Sequence, residues 1–241
     1  MKQEAILVHG WDPRYYNNQI KEPISAGMAW SHRPELIKRL RDKYNICYYN
    51  LPGFCGIKEP NKKKFSVEDF VQDFFGWKEK SHKDAKLLIG YSFGGAVLLS
   101  HRVKYHDSTP TVLISPAIYR SESSRSELAK NLKPFIPSYF ADYLRHVYQY
   151  FVSEYYRRGT SFLRSTYNSI ARMDLRPLLG KVDVKKLLLV YGENDEATPW
   201  NLVKDTIRDH KINYHLVSGG GHRIGQTHPD EIIKAINEFC K

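Results

Sequence analysis

Ser92 is the residue with the clearest capacity for nucleophilic chemistry, because of the glycines around it. It stands in the segment Gly90-Tyr-Ser-Phe-Gly94, after the apolar residues 87–89 and before the apolar residues 96–99. A G-x-S-x-G segment between a strand and a helix holds the serine on a sharp, strained turn and lifts its hydroxyl clear of the sheet. The spacing alone is also compatible with an ordinary glycine-rich turn.

An acid and a histidine follow later in the chain, each just beyond a predicted strand. Asp195 follows the apolar residues 187–190, and His222 follows the strand-like residues 214–217 through a glycine-rich turn. The chain order Ser, Asp, His is one of those in which a hydrolase triad occurs. In such a triad His222 would take the proton of Ser92, and Asp195 would orient the imidazole and stabilise its cationic form.

Other histidines and another acid compete for these roles. Only His222 lies in a glycine-rich turn directly beyond a predicted strand, where a flexible backbone can direct an imidazole at Ser92. The alternative acid precedes a predicted strand instead of following one. The less favoured candidates are His210, His215 and His228 for the base and Asp174 for the acid.

The elements that must position these residues alternate along the chain between strands and helices. This alternation predicts an α/β fold, with a mostly parallel twisted sheet flanked by helices and a site at the carboxyl ends of the strands. Ser66 is predicted to cap the helix that follows it. The predicted strands cover residues 3–8, 45–51, 87–89, 111–115, 187–190 and 214–217, and the predicted helices cover 34–44, 67–75, 96–105, 200–209 and 231–239.

The serine turn, the acid and histidine turns and the opening segment His9-Gly10-Trp11 together resemble the α/β-hydrolase family. The resemblance extends from the first predicted strand to the last predicted helix. It implies an α/β-hydrolase core formed by residues 1–116 and 181–241, with a helical cap inserted at residues 117–180.

The resemblance also assigns roles around the predicted nucleophile. It implies that the backbone N–H groups of Trp11 and Phe93 form the oxyanion hole. It implies that His9 is a structural histidine rather than the base. The long polar loop at residues 12–31 is expected to overhang the pocket.

The predicted cap is rich in aromatic residues, and its basic residues outnumber its acidic ones. Apolar and aromatic positions recur at helical spacing between Phe140 and Tyr155, which predicts an amphipathic helix. Its aromatic side chains either line an acyl-binding cavity or pack the cap onto the core. The candidate pocket residues are Tyr91, Tyr143 and Tyr148.

Length and composition favour one domain of an ordinary globular protein. The chain has 241 residues, 41% hydrophobic and 26% charged, and a net charge of +11. No apolar run reaches membrane-spanning length and no signal-peptide pattern is present, so we expect a cytoplasmic protein without a membrane span. The basic charge comes without a nucleic-acid-binding motif, and nucleic acid is therefore not an expected partner.

The three cysteines, Cys47, Cys55 and Cys240, have neither the spacing of metal ligands nor the even count of a disulfide framework. We therefore expect free thiols and no metal. Cys55 lies in a loop that could approach the predicted site, which leaves open a reactive role for its thiol. The predicted chemistry itself requires neither a metal nor an organic cofactor.

These patterns predict a serine hydrolase that cleaves a small carboxylic ester or thioester through an acyl-enzyme on Ser92. Members of the family with the same triad also hydrolyse carbon–carbon bonds or catalyse cofactor-free perhydrolysis, so both remain alternatives. A ligand-binding protein that uses the fold without catalysis is a third.

A narrower similarity concerns the partner. The His-Gly-Trp turn, the Leu-Pro-Gly-Phe turn at residues 51–54 and the basic cap are similar to the carrier-protein methyl ester esterases of biotin synthesis. This similarity implies that the basic cap binds an acidic acyl carrier protein. Electrostatic binding of that kind would be sensitive to salt.

Overall fold

A parallel six-stranded sheet organises the described part of the chain. A computed structural model describes residues 2–119 and 154–241. The strands lie in the order β2-β1-β3-β4-β5-β6, and every neighbouring pair is parallel, which confirms the predicted sheet. Their bounds are β1 (Gln3–Val8), β2 (Tyr44–Tyr49), β3 (Leu87–Tyr91), β4 (Thr111–Ile114), β5 (Leu187–Gly192) and β6 (Asn213–Val217).

Helices connect the strands and cover the sheet. In the described residues they are α1 (Pro34–Lys43), α2 (Val67–Ser81), α3 (Phe93–Tyr105), α4 (Glu154–Arg157), α5 (Ser161–Ile170), α6 (Arg176–Leu179), α7 (Lys204–Asp209), α8 (Ile224–Thr227) and α9 (Pro229–Phe239). The helix predicted at residues 200–209 is divided into a 3-10 turn at Trp200–Leu202 and the shorter α7. Within the described residues, no helix combines the length and apolarity needed to span a membrane.

The sequence explains where two of these helices begin. Ser66 caps α2: its hydroxyl accepts a hydrogen bond from the Asp69 N–H, and the Asp69 carboxylate accepts one from the Ser66 N–H. This reciprocal capping box satisfies two donors that the first turn of a helix leaves free. Pro34 begins α1, where the fixed φ of proline suits the first helical position and its missing N–H costs nothing.

The core lies on both faces of the central strands. Every residue of β3, β4 and β5 is buried, as expected for parallel strands that helices cover on both sides. The first seven residues of α3, 93–99, are also buried, so this helix is enclosed by the sheet and by its neighbouring helices. The outer strands β2 and β6 are only partly buried.

The register brings several loops to one edge of the sheet. Tyr91, the last residue of β3, pairs with Ile114, the last residue of β4. Gly192, the last residue of β5, pairs with Val217, the last residue of β6. The residues that follow β1, β3, β5 and β6 therefore meet at the carboxyl edge, where sequence analysis expects the site.

The predicted cap is described only in part. Residues 120–153, which include the candidate pocket residues Tyr143 and Tyr148 and most of the predicted amphipathic helix, lie outside the described residues. The part that follows them forms α4, α5 and α6. Phe162 and Leu163 of α5 are buried in the same apolar core as the sheet, so α5 packs directly on the domain.

Candidate active site

A single residue, Ser92, separates β3 from α3, and its backbone is strained. Its φ of 51° and ψ of −114° lie outside the regions that L-residues prefer. Strain of this kind costs on the order of 1–3 kcal/mol and persists only where the surroundings enforce it. Here the Ser92 N–H donates to the Ile114 carbonyl at 3.0 Å, and the Ser92 carbonyl accepts from the Gly95 and Ala117 N–H groups, each at 3.0 Å.

Glycines allow other backbone segments to approach this turn closely. A Cβ atom at Gly94 would lie only 2.2 Å from the carbonyl oxygen of Val8. A Cβ atom at Gly10 would lie 2.9 Å from Ser92 Cβ and 3.6 Å from Ser92 Oγ. The loop after β1 thus passes beside the serine hydroxyl at a distance that no other residue type permits.

Ser92, His222 and Asp195 form a continuous line of hydrogen-bonding groups. The His222 Nε2 atom lies 3.2 Å from Ser92 Oγ. The His222 Nδ1 atom lies 2.9 Å from Asp195 Oδ2 and 3.1 Å from Asp195 Oδ1. Because an ionised carboxylate can only accept, Nδ1 carries the proton and Nε2 is left to accept one from the serine. The structure therefore brings together the three side chains that sequence analysis selected.

Asp195 is buried and held by several donors. Its Oδ1 atom accepts hydrogen bonds from the N–H groups of Ala197 and Thr198, each at 2.9 Å. The Thr198 hydroxyl donates to Oδ2 at 2.8 Å. Burial raises the pKa of Asp195, but hydrogen bonds from His222 and Thr198 outweigh burial, so its pKa lies below its ordinary value. Thr198 was not predicted from the sequence, although the spacing Asp-x-x-Thr favours a side-chain hydrogen bond across a turn.

Tyr91 connects the nucleophile strand to the histidine loop. Its hydroxyl donates a hydrogen bond to the backbone carbonyl of His222, and its ring lies edge-on to the imidazole with centroids 5.9 Å apart. The residue was predicted as part of the pocket, and it does lie in the wall of the cavity beside Ser92. The hydroxyl, however, contacts the backbone of His222, a contact that the sequence did not suggest.

The backbone N–H groups of Trp11 and Phe93 are suited to bind an oxyanion. Neither N–H group has an acceptor among the described residues. Trp11 directly follows Gly10, which lies beside Ser92. The indole of Trp11 is buried, packs edge-on against Phe93 at 5.5 Å between centroids, and donates from Nε1 to the Tyr16 hydroxyl at 2.5 Å. These contacts fix the turn and hence the direction of its N–H.

The imidazole of His9 makes hydrogen bonds to the backbone only, as a structural histidine does. Its Nδ1 donates to the Gly10 carbonyl at 2.7 Å and its Nε2 accepts from the Leu51 N–H at 3.1 Å. Burial lowers the pKa of His9 to about 4, which is partly offset by the hydrogen bond to Gly10. The imidazole is therefore neutral at physiological pH, and both nitrogens are already committed to loops beneath Ser92.

A cavity of about 190 Å³ opens beside Ser92. The loop after β1 contributes much of its wall, which agrees with the expectation that this loop overhangs the site. A larger groove of about 1050 Å³ lies between that loop and α1, but it contains none of the three relay residues, so we assign the chemistry to the smaller cavity. The lining residues of the smaller cavity used below are Asp12, Arg14, His32, Arg33, Glu154 and Arg223.

The competing candidates are occupied elsewhere. His215 Nε2 lies 2.8 Å from Glu231, and Asp174 forms an ion pair with Arg176 at 2.6 Å. His210 packs against Gly180 and His228 contacts the neighbouring Thr227 hydroxyl. None of them lines the cavity at Ser92.

The thiol of Cys55 is not reactive in its surroundings. It is buried, and burial raises its pKa to about 12, well above the range in which a nucleophilic thiolate forms. The structure thus favours the inert alternative for this cysteine.

One group in the described residues has the composition of a metal site. Donor atoms of Glu4, Cys47 and His82 all lie within 4.8 Å of one another. Glu4 lies near the start of β1, Cys47 lies in β2, and His82 directly follows α2. Hydrogen bonds already join them, from the Cys47 thiol to Glu4 at 3.3 Å and between His82 and Glu4 at 3.1 Å. Burial raises the pKa of Cys47 to about 11, so the thiol is held in its protonated form.

Comparison with known proteins agrees with this geometry. At the level of sequence the chain is 24% identical to the uncharacterized hydrolase YugF of Bacillus subtilis, over 100% of this chain and 90% of that protein. Among solved structures, it is similar to the meta-cleavage product hydrolase CumD of Pseudomonas fluorescens IP01, with a TM-score of 0.67, 17% identity, and coverage of 98% and 90%. It is also similar to a thermophilic esterase from Thermogutta terrifontis, with a TM-score of 0.64, 18% identity, and coverage of 99% and 89%.

The structural neighbours, which have different activities, show the fold alone, because their identities to this chain are below 20%. The family assignment comes from a family model that matches residues 5–235, nearly the whole chain. The strained serine turn and the parallel sheet agree with this match. The chain therefore belongs to the alpha/beta hydrolase family.

Proposed function

We propose that this chain is a serine hydrolase that cleaves a carboxylic ester or thioester through an acyl-enzyme on Ser92. The observation that carries the proposal is the relay in which His222 Nε2 lies 3.2 Å from Ser92 Oγ while Nδ1 lies 2.9 Å from Asp195. Such a relay activates a hydroxyl that would otherwise be a weak nucleophile at neutral pH.

In the acylation step the Ser92 oxygen attacks the carbonyl carbon while its proton passes to His222 Nε2. The carbonyl oxygen becomes an oxyanion, which the N–H groups of Trp11 and Phe93 bind. The tetrahedral intermediate then collapses: the bond to the alcohol or thiol breaks, and the leaving group takes the proton from the imidazolium. Asp195 stabilises the imidazolium without accepting its proton.

Deacylation repeats these events with water. His222 accepts a proton from the water molecule that attacks the acyl-enzyme, and it returns that proton to Ser92 Oγ as the ester bond to the enzyme breaks. The products are a carboxylic acid and the regenerated serine, so no external oxidant, reductant or metal enters the balance.

The test combines substrate hydrolysis with covalent labelling. Ser92→Ala should abolish hydrolysis of 4-nitrophenyl esters of several acyl lengths and should prevent labelling by a fluorophosphonate probe, with an unchanged circular dichroism spectrum. Ser100→Ala, which removes a hydroxyl farther along α3, is the matched control and should retain both. Hydrolysis by Ser92→Ala within tenfold of the wild type would show that another nucleophile acts.

Labelling also separates the enzyme from a ligand-binding protein on the same fold. A fluorophosphonate reacts only with an activated serine, so a receptor without a working relay should remain unlabelled. Wild-type protein that neither reacts with the probe nor hydrolyses any ester would overturn the proposed function.

A further inference from the structure

The cavity beside Ser92 has a positive charge that its own acids do not neutralise. Its lining includes Asp12 and Glu154, and both are already paired. Asp12 binds the Arg14 guanidinium at 2.5 Å, and Glu154 binds Arg158 at 2.8 Å. Neither acid forms an ion pair with Arg33 or Arg223 among the described residues, although the charge of Arg33 contributes to lowering the pKa of Asp12.

Arg33 is the first of these unbalanced cations. Its Cζ atom lies 3.9 Å from the centroid of the Tyr91 ring and 5.5 Å from that of Trp30, so the two rings fix the guanidinium beside the nucleophile strand. Its Nη1 donates to the Ala29 carbonyl at 3.3 Å, but its Nε is buried and has no acceptor among the described residues. A buried charged donor without an acceptor is unfavourable, and a ligand that supplies the acceptor removes this penalty.

Arg33 lines the cavity at Ser92, and its charge acts on groups nearby. Burial raises the pKa of Tyr91, and the charge of Arg33 together with a hydrogen bond from the Arg33 side chain to Tyr91 opposes that increase. Burial is also the main cause that lowers the pKa of His9, and Arg33 lowers it further. The guanidinium thus acts on residues next to both the nucleophile and the oxyanion-binding turn.

Arg223 is the second unbalanced cation and comes from a different loop. It directly follows His222, is exposed, lines the same cavity, and forms no ion pair among the described residues. Arg223 also acts on His32, another residue of the cavity wall. The pKa of His32 is lowered mainly by burial and in part by the charge of Arg223. Arg33, which is half-buried, and Arg223, which is exposed, therefore come from separate loops and both line the cavity that contains Ser92.

We propose that Arg33 and Arg223 form an anion subsite, and that the natural substrate is an ester or thioester that also carries a carboxylate. The planar fork of a guanidinium matches a carboxylate, and such charge-assisted hydrogen bonds are stronger than neutral ones. This inference rests on the proposed function for the hydrolytic step. The anion subsite itself is tested by binding, independently of catalysis.

The binding test uses glutarate, a small dicarboxylate, and glutaramide, its uncharged analogue of the same length. Calorimetry with the Ser92→Ala protein should detect glutarate and not glutaramide, and added salt should weaken the binding. Arg33→Gln and Arg223→Gln should each raise the dissociation constant about tenfold, as expected for the loss of one charge-assisted hydrogen bond. Arg33→Lys, which keeps the charge, should recover part of the loss.

The kinetic test uses glutarate as a competitive inhibitor of 4-nitrophenyl butyrate hydrolysis by the wild type. The inhibition constant should rise in the two glutamine variants by the same factor as the dissociation constant. Lys38→Gln, which removes an exposed cation of α1 outside the cavity, is the matched control and should leave inhibition unchanged.

Equal binding of glutarate and glutaramide, or arginine variants that bind glutarate as the wild type does, would overturn the anion subsite while ester hydrolysis continued. Conversely, arginine-dependent glutarate binding in a protein that hydrolyses no ester and takes no fluorophosphonate label would support the subsite and reject the proposed function. The two proposals therefore fail in distinguishable ways.

Discussion

The hydroxyl of Tyr91 donates a hydrogen bond to the backbone carbonyl of His222. The residue directly before Ser92, the proposed nucleophile, thus contacts the loop that carries the proposed base, 131 positions away in sequence. Because Tyr91 lies at the end of a fully buried strand, this contact fixes the backbone of His222 relative to the sheet.

Tyr91→Phe should therefore impair turnover more than substrate binding. Loss of one hydrogen bond of about 1 kcal/mol predicts a decrease in kcat of roughly fivefold, with KM nearly unchanged. The measurement is steady-state hydrolysis of a 4-nitrophenyl ester, with Tyr214→Phe at an exposed position as the control. A Tyr91→Phe enzyme with wild-type kcat would show that the contact does not position the base.

Gly10→Ala should disable the site without unfolding the protein. The new Cβ would lie 2.9 Å from Ser92 Cβ and 3.1 Å from the Tyr91 carbonyl oxygen, so the loop after β1 must move away from the nucleophile. Displacement of about 1 Å at a reaction centre reduces the rate roughly 100-fold. Gly76→Ala is the matched control because nothing lies within 4 Å of its Cβ position, and this helical substitution should instead stabilise slightly. Activity of Gly10→Ala close to that of the wild type would contradict the proposed proximity.

His9 should make stability depend on pH between about 4 and 6.5. Burial lowers its pKa from 6.5 to about 4, so in this window the unfolded chain binds a proton that the folded protein does not. The contribution of neutral His9 to the free energy of unfolding is complete above pH 6.5. It is lost as the pH falls through the folded pKa, and the total loss is roughly 3 kcal/mol.

The check is urea unfolding at several pH values across that window. His9→Gln should be less stable at neutral pH, and its free energy of unfolding should decrease less steeply on acidification. His210→Gln, at an exposed histidine, is the control for the loss of a histidine elsewhere in the chain. Parallel slopes for His9→Gln and the wild type would show that His9 is not held neutral.

Asp107 should stabilise the contact between α2 and α3 through a buried charge cluster. Its Oδ2 atom lies 2.9 Å from His101 Nε2 and 3.3 Å from Lys78 Nζ, and both partners are buried. Asp107→Asn should lower the free energy of unfolding by about 3–5 kcal/mol at neutral pH, because Lys78 is left buried without a counter-charge. Adding Lys78→Met to Asp107→Asn should restore part of the lost stability. If the two substitutions instead change the free energy of unfolding additively, Lys78 and Asp107 are not coupled.

The same cluster predicts a second dependence on pH. Burial raises the pKa of Asp107, but hydrogen bonds from His101 and Thr109 together with the charge of Lys78 dominate and hold it far below its ordinary value. The stabilisation is present above about pH 4 and is lost as the pH falls towards the folded pKa. The difference in stability between the wild type and Asp107→Asn should therefore narrow between pH 4 and pH 2 in chemical denaturation. A constant difference would rule out this linkage.

Local sequence signals were sufficient for the six strands, for helices α1, α2, α3 and α9, and for the three relay positions. The helices α4, α5, α6 and α8 were not predicted individually. Strands β1 and β5 could be identified from continuous apolar runs, and Ser92 from the glycines at its second neighbours. Asp195 and His222 could be selected because each follows a strand directly, and parallel strands place such residues at a common edge. The fold is confirmed, whereas the catalytic role of these residues stays a prediction.

Contacts between distant segments had no such signal. Nothing in the sequence around Arg33 indicates that it packs on Tyr91, since the two residues meet only when the loop before α1 folds over β3. The hydrogen bond from Tyr91 to the His222 backbone is equally non-local, because its acceptor is a carbonyl that every residue has. The division of residues 200–209 into a 3-10 turn and a short helix was not predicted either, because apolar spacing does not distinguish a 3-10 turn from an α-helix.

The separation of Ser92 from His222 by 130 positions has a consequence during synthesis. A ribosome adds roughly 5–20 residues per second, so several seconds pass between the appearance of the two side chains. The imidazole can reach the hydroxyl only after β6 has joined the edge of the sheet beside β5. On the proposed mechanism, a nascent chain that already displays Ser92 therefore remains inert towards cellular esters until the segment that carries β6 and His222 has been synthesised and has folded.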